Sequence, residues 1–136
     1  MIKNQTELIK AATKARTAAY APYSKFAVGA AVLSESGKIF VGCNVENVSL
    51  GLTICAERMA VGAAISAGSR DLVAIAVVTD SKRPAVPCGA CRQVLAEFNP
   101  QMKIVSATLS GESEELDLGE LLPKPRQGIL ESDRNV

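Results

Sequence analysis

Leu8, Ala12, Ala15 and Ala19 recur at helical spacing, while Lys10, Lys14 and Arg16 fall elsewhere on the wheel. This pattern predicts a first helix over about 5–19, stopped at Pro22 in "APYS". The run "FAVGAAVLS" (26–34) is almost continuously apolar, "SESGK" supplies a turn, and "KIFVGCN" (38–44) follows, so the two runs read as a hairpin. A second helix is expected over 54–67, with Gly68 as its stop. After Arg58 no charge appears until Arg70, which predicts burial on most faces of this helix. "LVAIAVVT" (72–79) is β-branched and free of polar residues, as a strand covered on both faces should be. "CGACRQVLAEF" (88–98) reads as a third helix and "KIVSATL" (103–109) as another strand. "EELDLGELL" (114–122) offers a last strand and a short helical turn.

Beyond the hairpin, strands alternate with helices. That order implies parallel pairing and a three-layer α/β architecture, with helices on both faces of a mixed sheet. The 136 residues are expected to form a single domain, with a core over about 5–123 and a loose tail over 124–136.

Charge and composition narrow the partners. Fifteen basic residues nearly balance fourteen acidic ones, for a net charge of +1, and no basic run stands out. Aromatics are only 4% of the chain. Both facts argue against a nucleic-acid partner, which needs a basic footprint or stacking platforms. No apolar stretch approaches a membrane span and the start "MIKNQTELIK" lacks a signal-peptide core, so a cytoplasmic protein with no membrane partner is expected. There is no histidine. Serine–histidine and cysteine–histidine pairs are therefore excluded within the chain, and a metal site must use cysteine and carboxylate.

The cysteines carry the chemistry. Cys88 and Cys91 stand in "PCGAC" at the start of the third helix, and Cys55 opens the second. Helix N-termini carry unpaired N–H groups and partial positive charge, which favour thiolates. Three thiolates from two helix ends suit one soft tetrahedral ion, Zn2+, with the fourth position open to water. A lone C-x-x-C also fits a redox pair. With Cys43, the set would make a closed, all-thiolate structural site; Cys43 in "FVGCN" reads instead as a small buried hydrophobe. Glu57, two residues after Cys55, tips the balance towards catalysis, although a first-turn glutamate can also serve the helix dipole or pair with Arg58.

"CAE" joined to a downstream "PCGAC" matches the zinc-deaminase signature in its three-cysteine form. The chain resembles the small homotetrameric cytidine deaminases, from "YAPYSKFAVGAAV" through "GCNVEN", "LTICAER" and "PCGACRQVLAEF" to "ELLP". The resemblance implies a cytidine-deaminase-like fold with five strands and one Zn2+ per chain on Cys55, Cys88 and Cys91. It further implies hydrolytic deamination of cytidine and 2′-deoxycytidine, with Glu57 as the catalytic proton carrier. Arg58 and Arg92 directly follow the site motifs, and their guanidinium groups are expected to donate to the sulfurs and offset the negative charge of three thiolates. By the same resemblance Asn44 and Glu46 bind the ribose hydroxyls, Phe26 and Val28 line the pocket, and the Ala56 backbone holds the base. Neighbouring subunits complete the site.

Two positions depart from the family pattern. Leu50 stands where a tyrosine is common, and Lys124–Gly128, "KPRQG", replaces a segment with an aromatic. Both changes favour a wider pocket and leave open a bulkier substrate, such as blasticidin S or a cytidine substituted on the exocyclic amine. A nucleic-acid editing deaminase and a non-enzymatic zinc scaffold are the remaining alternatives.

Overall fold

The computed structural model describes residues 2–125. The 126–136 part of the expected loose tail, including Arg126 to Gly128, lies outside them. The helices are α1 (Gln5–Arg16), α2 (Ala56–Ser66), α3 (Gly89–Phe98) and α4 (Leu118–Leu121). The strands are β1 (Val28–Ser34), β2 (Ile39–Cys43), β3 (Leu72–Thr79), β4 (Lys103–Thr108) and β5 (Ser113–Asp117). They form one mixed sheet in the order β2-β1-β3-β4-β5.

The most apolar strand takes the middle place. β3 pairs antiparallel with β1 and parallel with β4, the latter through the crossover that carries α3. Side chains alternate between two cores with the period of a strand. Ala30, Val32, Ile75 and Ile104 face α2 and α3, together with Ala60, Ala64 and Leu95. Ala31, Leu33, Ala74, Ala76, Val78 and Val105 face the other way, onto Leu8 and Ala12 of α1. The expected three layers and mixed sheet follow.

The edges of the elements differ from expectation for identifiable reasons. α1 ends at Arg16 instead of residue 19, because Ala18 and Ala19 bond back three residues to Ala15 and Arg16 (3.1 Å each). Tyr20 then joins an extended bridge with Val45. β1 begins at Val28 and not residue 26, since side chains take the backbone groups of the two preceding residues. The Phe26 carbonyl accepts from Asn44 Nδ2 (2.8 Å) and the Ala27 carbonyl from Arg16 Nε (3.0 Å). A 3₁₀ turn over Leu50–Leu52 had no sequence signal.

α2 is buried on one face only. Ala56, Glu57, Ala60, Val61 and Ala64 are buried, whereas Gly62 and Ala63 are exposed, because within one chain only the sheet side of this helix is covered. Gly68 ends it as expected, in the left-handed region (φ 89°), with Ser69 N bonding to Ala64 O (2.9 Å) and Gly68 N to Ile65 O (3.0 Å).

Two glycines set the distance between layers. A Cβ on Gly42 would stand 2.4 Å from Ala60 N and 2.7 Å from Ala56 O, so the first turn of α2 lies directly on β2. On the opposite face, a Cβ on Gly29 would meet Ala12 O at 2.0 Å. Gly42 thereby fixes how deep Cys55 and Glu57 sit.

Candidate metal centre and nucleoside pocket

Cys55 and Cys88 occupy equivalent places. Each is the N-cap of its helix with extended backbone, at φ −70°, ψ 153° and φ −67°, ψ 168° respectively. Cys91 is buried in the first turn of α3. Since α2 and α3 pack on the same sheet face, their N-termini converge. The three sulfurs all lie within 4.8 Å of one another. Tetrahedral Zn–S bonds of about 2.3 Å set sulfurs roughly 3.8 Å apart, so this cluster fits a single zinc ion with one position left over.

Cys43 stands apart from the cluster. It pairs with Gly29, which faces α1, whereas its neighbour Gly42 faces α2. Side chains alternate across a strand, so Cys43 belongs to the wrong side of the sheet for a fourth ligand. It is half-buried at the end of β2, not the fully buried small hydrophobe expected from the sequence.

The electrostatics set Cys55 and Cys91 apart. Cys55 is pulled down to about 5, first by a hydrogen bond from Cys91 and further by Arg58. Cys91 is pushed up, by the same contact with Cys55 and by burial. Zinc binds thiolates, so it competes with protons at this cluster and its affinity falls as pH falls.

The two arginines behave differently. Arg58 donates to Cys55 Sγ (3.7 Å) and to the Thr53 carbonyl (3.0 Å). Arg92 does not make the expected sulfur contact in its observed hydrogen bonds. Its Nε donates to the Pro87 carbonyl (2.7 Å) and its Nη1 to the Leu121 carbonyl (3.1 Å). Arg92 thereby fixes the backbone just before Cys88. Buried Ser106 holds the same loop from β4 by donating to the Ala85 carbonyl.

Beside the sulfurs lies a cavity of about 270 Å³ at the carboxyl end of β3. There Thr79, the last residue of β3, stands opposite Val28, the first of β1, and both line the cavity. Phe26, Val28, Asn44, Glu46 and Ala56 all line it, as do Cys55, Glu57 and Cys88. Glu57 is only 6% exposed, and burial above all pushes its carboxyl above the usual range.

Asn44 and Glu46 are already engaged by the chain. Asn44 Oδ1 accepts from Val28 N (2.9 Å) while its Nδ2 holds the Phe26 carbonyl. Glu46 accepts from the backbone N–H groups of Tyr23 (2.9 Å) and Ser24 (3.1 Å), and from the Ser24 hydroxyl. The Ser24 hydroxyl is the main cause that holds this carboxyl below its ordinary range. Sequence reasoning missed the lining residues Ser24, Thr53, Thr79 and Val86. Thr79 was findable, as the last residue of an unmistakable strand. The others arrive on loops placed by long-range contacts.

Three thiols and a buried glutamate on two converging helix ends, over a mixed five-stranded sheet, define a zinc-binding deaminase domain. Residues 2–108 match the family model for the cytidine and deoxycytidylate deaminase zinc-binding region. The chain is 56% identical over 117 residues to a cytidine deaminase of Halalkalibacterium halodurans, covering 85% of this chain and 89% of that protein. It is 52% identical over 118 residues to one of Sporosarcina psychrophila, covering 86% and 87%. The crystal structure of the Burkholderia pseudomallei cytidine deaminase superposes with a TM-score of 0.88 at 47% identity, over 91% of this chain and all of that one. The chain belongs to the cytidine deaminase family.

Replacing Cys43 by Ala should leave one zinc per chain, because the strand turns it away from the cluster. Cys91→Ala should lose most of the zinc. Metal analysis after gel filtration checks both, and stoichiometric zinc loss in Cys43→Ala would contradict the three-cysteine site.

Proposed function

We propose that the chain hydrolyses cytidine and 2′-deoxycytidine to the uridines with release of ammonia, and that Glu57 is its catalytic acid–base. The observation that carries this reading is a nearly buried carboxylate lining the same cavity as two of three clustered thiols. Zinc held by Cys55, Cys88 and Cys91 supplies Lewis acidity that makes water a nucleophile near neutral pH. Glu57 takes the proton from the attacking water and delivers it to the ring nitrogen beside the amino-bearing carbon. It then carries the second proton of that water, from the hydroxyl now on the carbon, to the exocyclic amine. The carbonyl of the product forms as the C–N bond breaks and ammonia leaves. Burial favours the protonated carboxyl between these transfers, so one side chain serves as base and acid in turn in a chain without histidine.

Ribose binding by Asn44 and Glu46 is supported by spare capacity. Each observed bond uses one lone pair or one N–H, and an amide or carboxylate has more to offer a sugar hydroxyl. Phe26 and Val28 supply apolar wall, and the backbone of Ala56 lies at the N-terminus of α2, where free N–H groups face the cavity. Arg58 offsets thiolate charge directly, and Arg92 does its work through the loop before Cys88.

A homotetramer is the assembly this reading requires. Ala60, Val61 and Ala64 of α2 are spent on the chain's own core and offer nothing to a neighbour. Support for it comes from Val48, Leu50 and Leu52, which are 79%, 71% and 65% exposed on the segment leading to Cys55. Leu50 does not line this chain's cavity, so any effect on substrate range has to act through a neighbouring subunit. Bulkier amine-substituted cytidines and blasticidin S stay in the substrate panel on that account. A cytoplasmic location fits four free cysteines, and among the described residues no helix is long and apolar enough to cross a membrane.

An ammonia-release assay with cytidine, deoxycytidine, cytosine, blasticidin S and amine-substituted cytidines tests the reading. Glu57→Gln should keep the fold and the zinc but lose about 10²–10⁴-fold in kcat from acid–base catalysis alone. Turnover within a factor of a few of wild type would rule out the role. Light scattering at micromolar concentration should give a tetramer, and a monomer would leave the pocket without its neighbours.

A further inference from the structure

The Ser24 hydroxyl is spent entirely on the pocket wall. It donates to Glu46 Oε2 while accepting from Phe26 N (3.0 Å), so one exposed side chain ties a proposed ribose acceptor to a proposed pocket wall. Tyr23 N and Ser24 N hold the other oxygen of the same carboxylate at 2.9 and 3.1 Å. Both oxygens of Glu46 are thereby fixed by one short stretch of chain. The next residue, Lys25, has its backbone in the left-handed region (φ 60°) without being glycine. A lysine there is unfavourable unless its surroundings hold it; its own N–H is held by the Ala21 carbonyl (3.0 Å), and the two residues before it are held by Glu46.

Resting on the ribose-binding reading of Glu46, we propose that Ser24 is a positioning residue for substrate. Its hydroxyl orients the Glu46 carboxylate so that the remaining lone pair of Oε2 is presented to the cavity that both residues line. Two backbone donors reach only Oε1, which leaves the carboxylate free to rotate about that contact. The hydroxyl on Oε2 removes that rotation. Hydrogen bonds to a charged group are stronger than neutral ones, so one lost bond of this kind matters. Because Ser24 touches neither the sulfurs nor Glu57 in its observed bonds, its loss should act on binding and spare the chemical step.

Steady-state kinetics on the zinc-loaded enzyme separate this role from mere loosening of the loop. The substrates are cytidine and 2′,3′-dideoxycytidine, which lacks the ring hydroxyls of ribose. Ser24→Ala should raise KM for cytidine about tenfold while kcat stays within about twofold, the size expected for one charged hydrogen bond. The penalty on dideoxycytidine should be under about twofold, and Ser24→Thr, which keeps the hydroxyl, should restore cytidine binding. Equal penalties on both substrates would mean that Ser24 only supports Phe26 and the wall, and would overturn the inference. So would an unchanged KM in Ser24→Ala when Glu46→Gln still discriminates between the two substrates. If Glu46→Gln itself shows no such discrimination, the ribose reading fails first and the role of Ser24 fails with it.

Discussion

Everything at the site depends on two helices starting at the same place. Three sulfurs within 4.8 Å, one buried, one half-buried and one exposed, repel one another when all are ionised and need a counter-charge. The fold supplies part of that charge through the N-termini of α2 and α3 and through Arg58, and the metal supplies the rest. α2 reaches its position because Gly42 lets its first turn lie on β2, while α3 reaches its own by crossing from β3 to β4. Moving either helix by a few tenths of an ångström would alter sulfur separations that a zinc ion tolerates poorly. The metal centre is thus a product of sheet order and interlayer spacing as much as of cysteine spacing.

A second layer of construction builds the pocket from polar side chains that bond to backbone. Asn44 clamps Phe26 and Val28, Glu46 gathers Tyr23 and Ser24, Ser106 holds Ala85, and Arg92 holds Pro87. Loops near an active site are normally the softest parts of a domain. Here each loop has a side-chain donor or acceptor fastened to it from a neighbouring element. Asn44 and Glu46 have a double burden on this account, since they would hold the wall and meet the substrate with the same polar atoms. Substitutions at either position should be hard to interpret as pure loss of a sugar contact.

The regular elements were legible because their hydrophobic periods are unambiguous. β3 runs from Leu72 to Thr79 as its composition indicates, the hairpin is where "SESGK" puts it, and Gly68 closes α2. The proximity of Cys55, Cys88 and Cys91 was inferred from helix starts and a family resemblance, and the coordinates bring those sulfurs together. What stayed illegible was set by contacts across long stretches of chain. Nothing local marks Phe26 as outside β1, since its carbonyl is taken by Asn44, eighteen positions away. The same holds for Arg92, whose Nε donates to a carbonyl that only the folded loop places there. The apolar run of α2 suggested burial on most faces, but a single chain covers only one side of it.

The central claim is a zinc ion on three sulfurs with its fourth position open. X-ray absorption spectroscopy at the zinc edge on the enzyme as purified reads the donor set directly. The account predicts three sulfur scatterers at about 2.3 Å and one lighter oxygen or nitrogen scatterer at about 2.0 Å. The lighter scatterer should change when a substrate analogue is added. Four sulfurs at a single distance, unchanged by the analogue, would mean a closed structural site and would contradict the account.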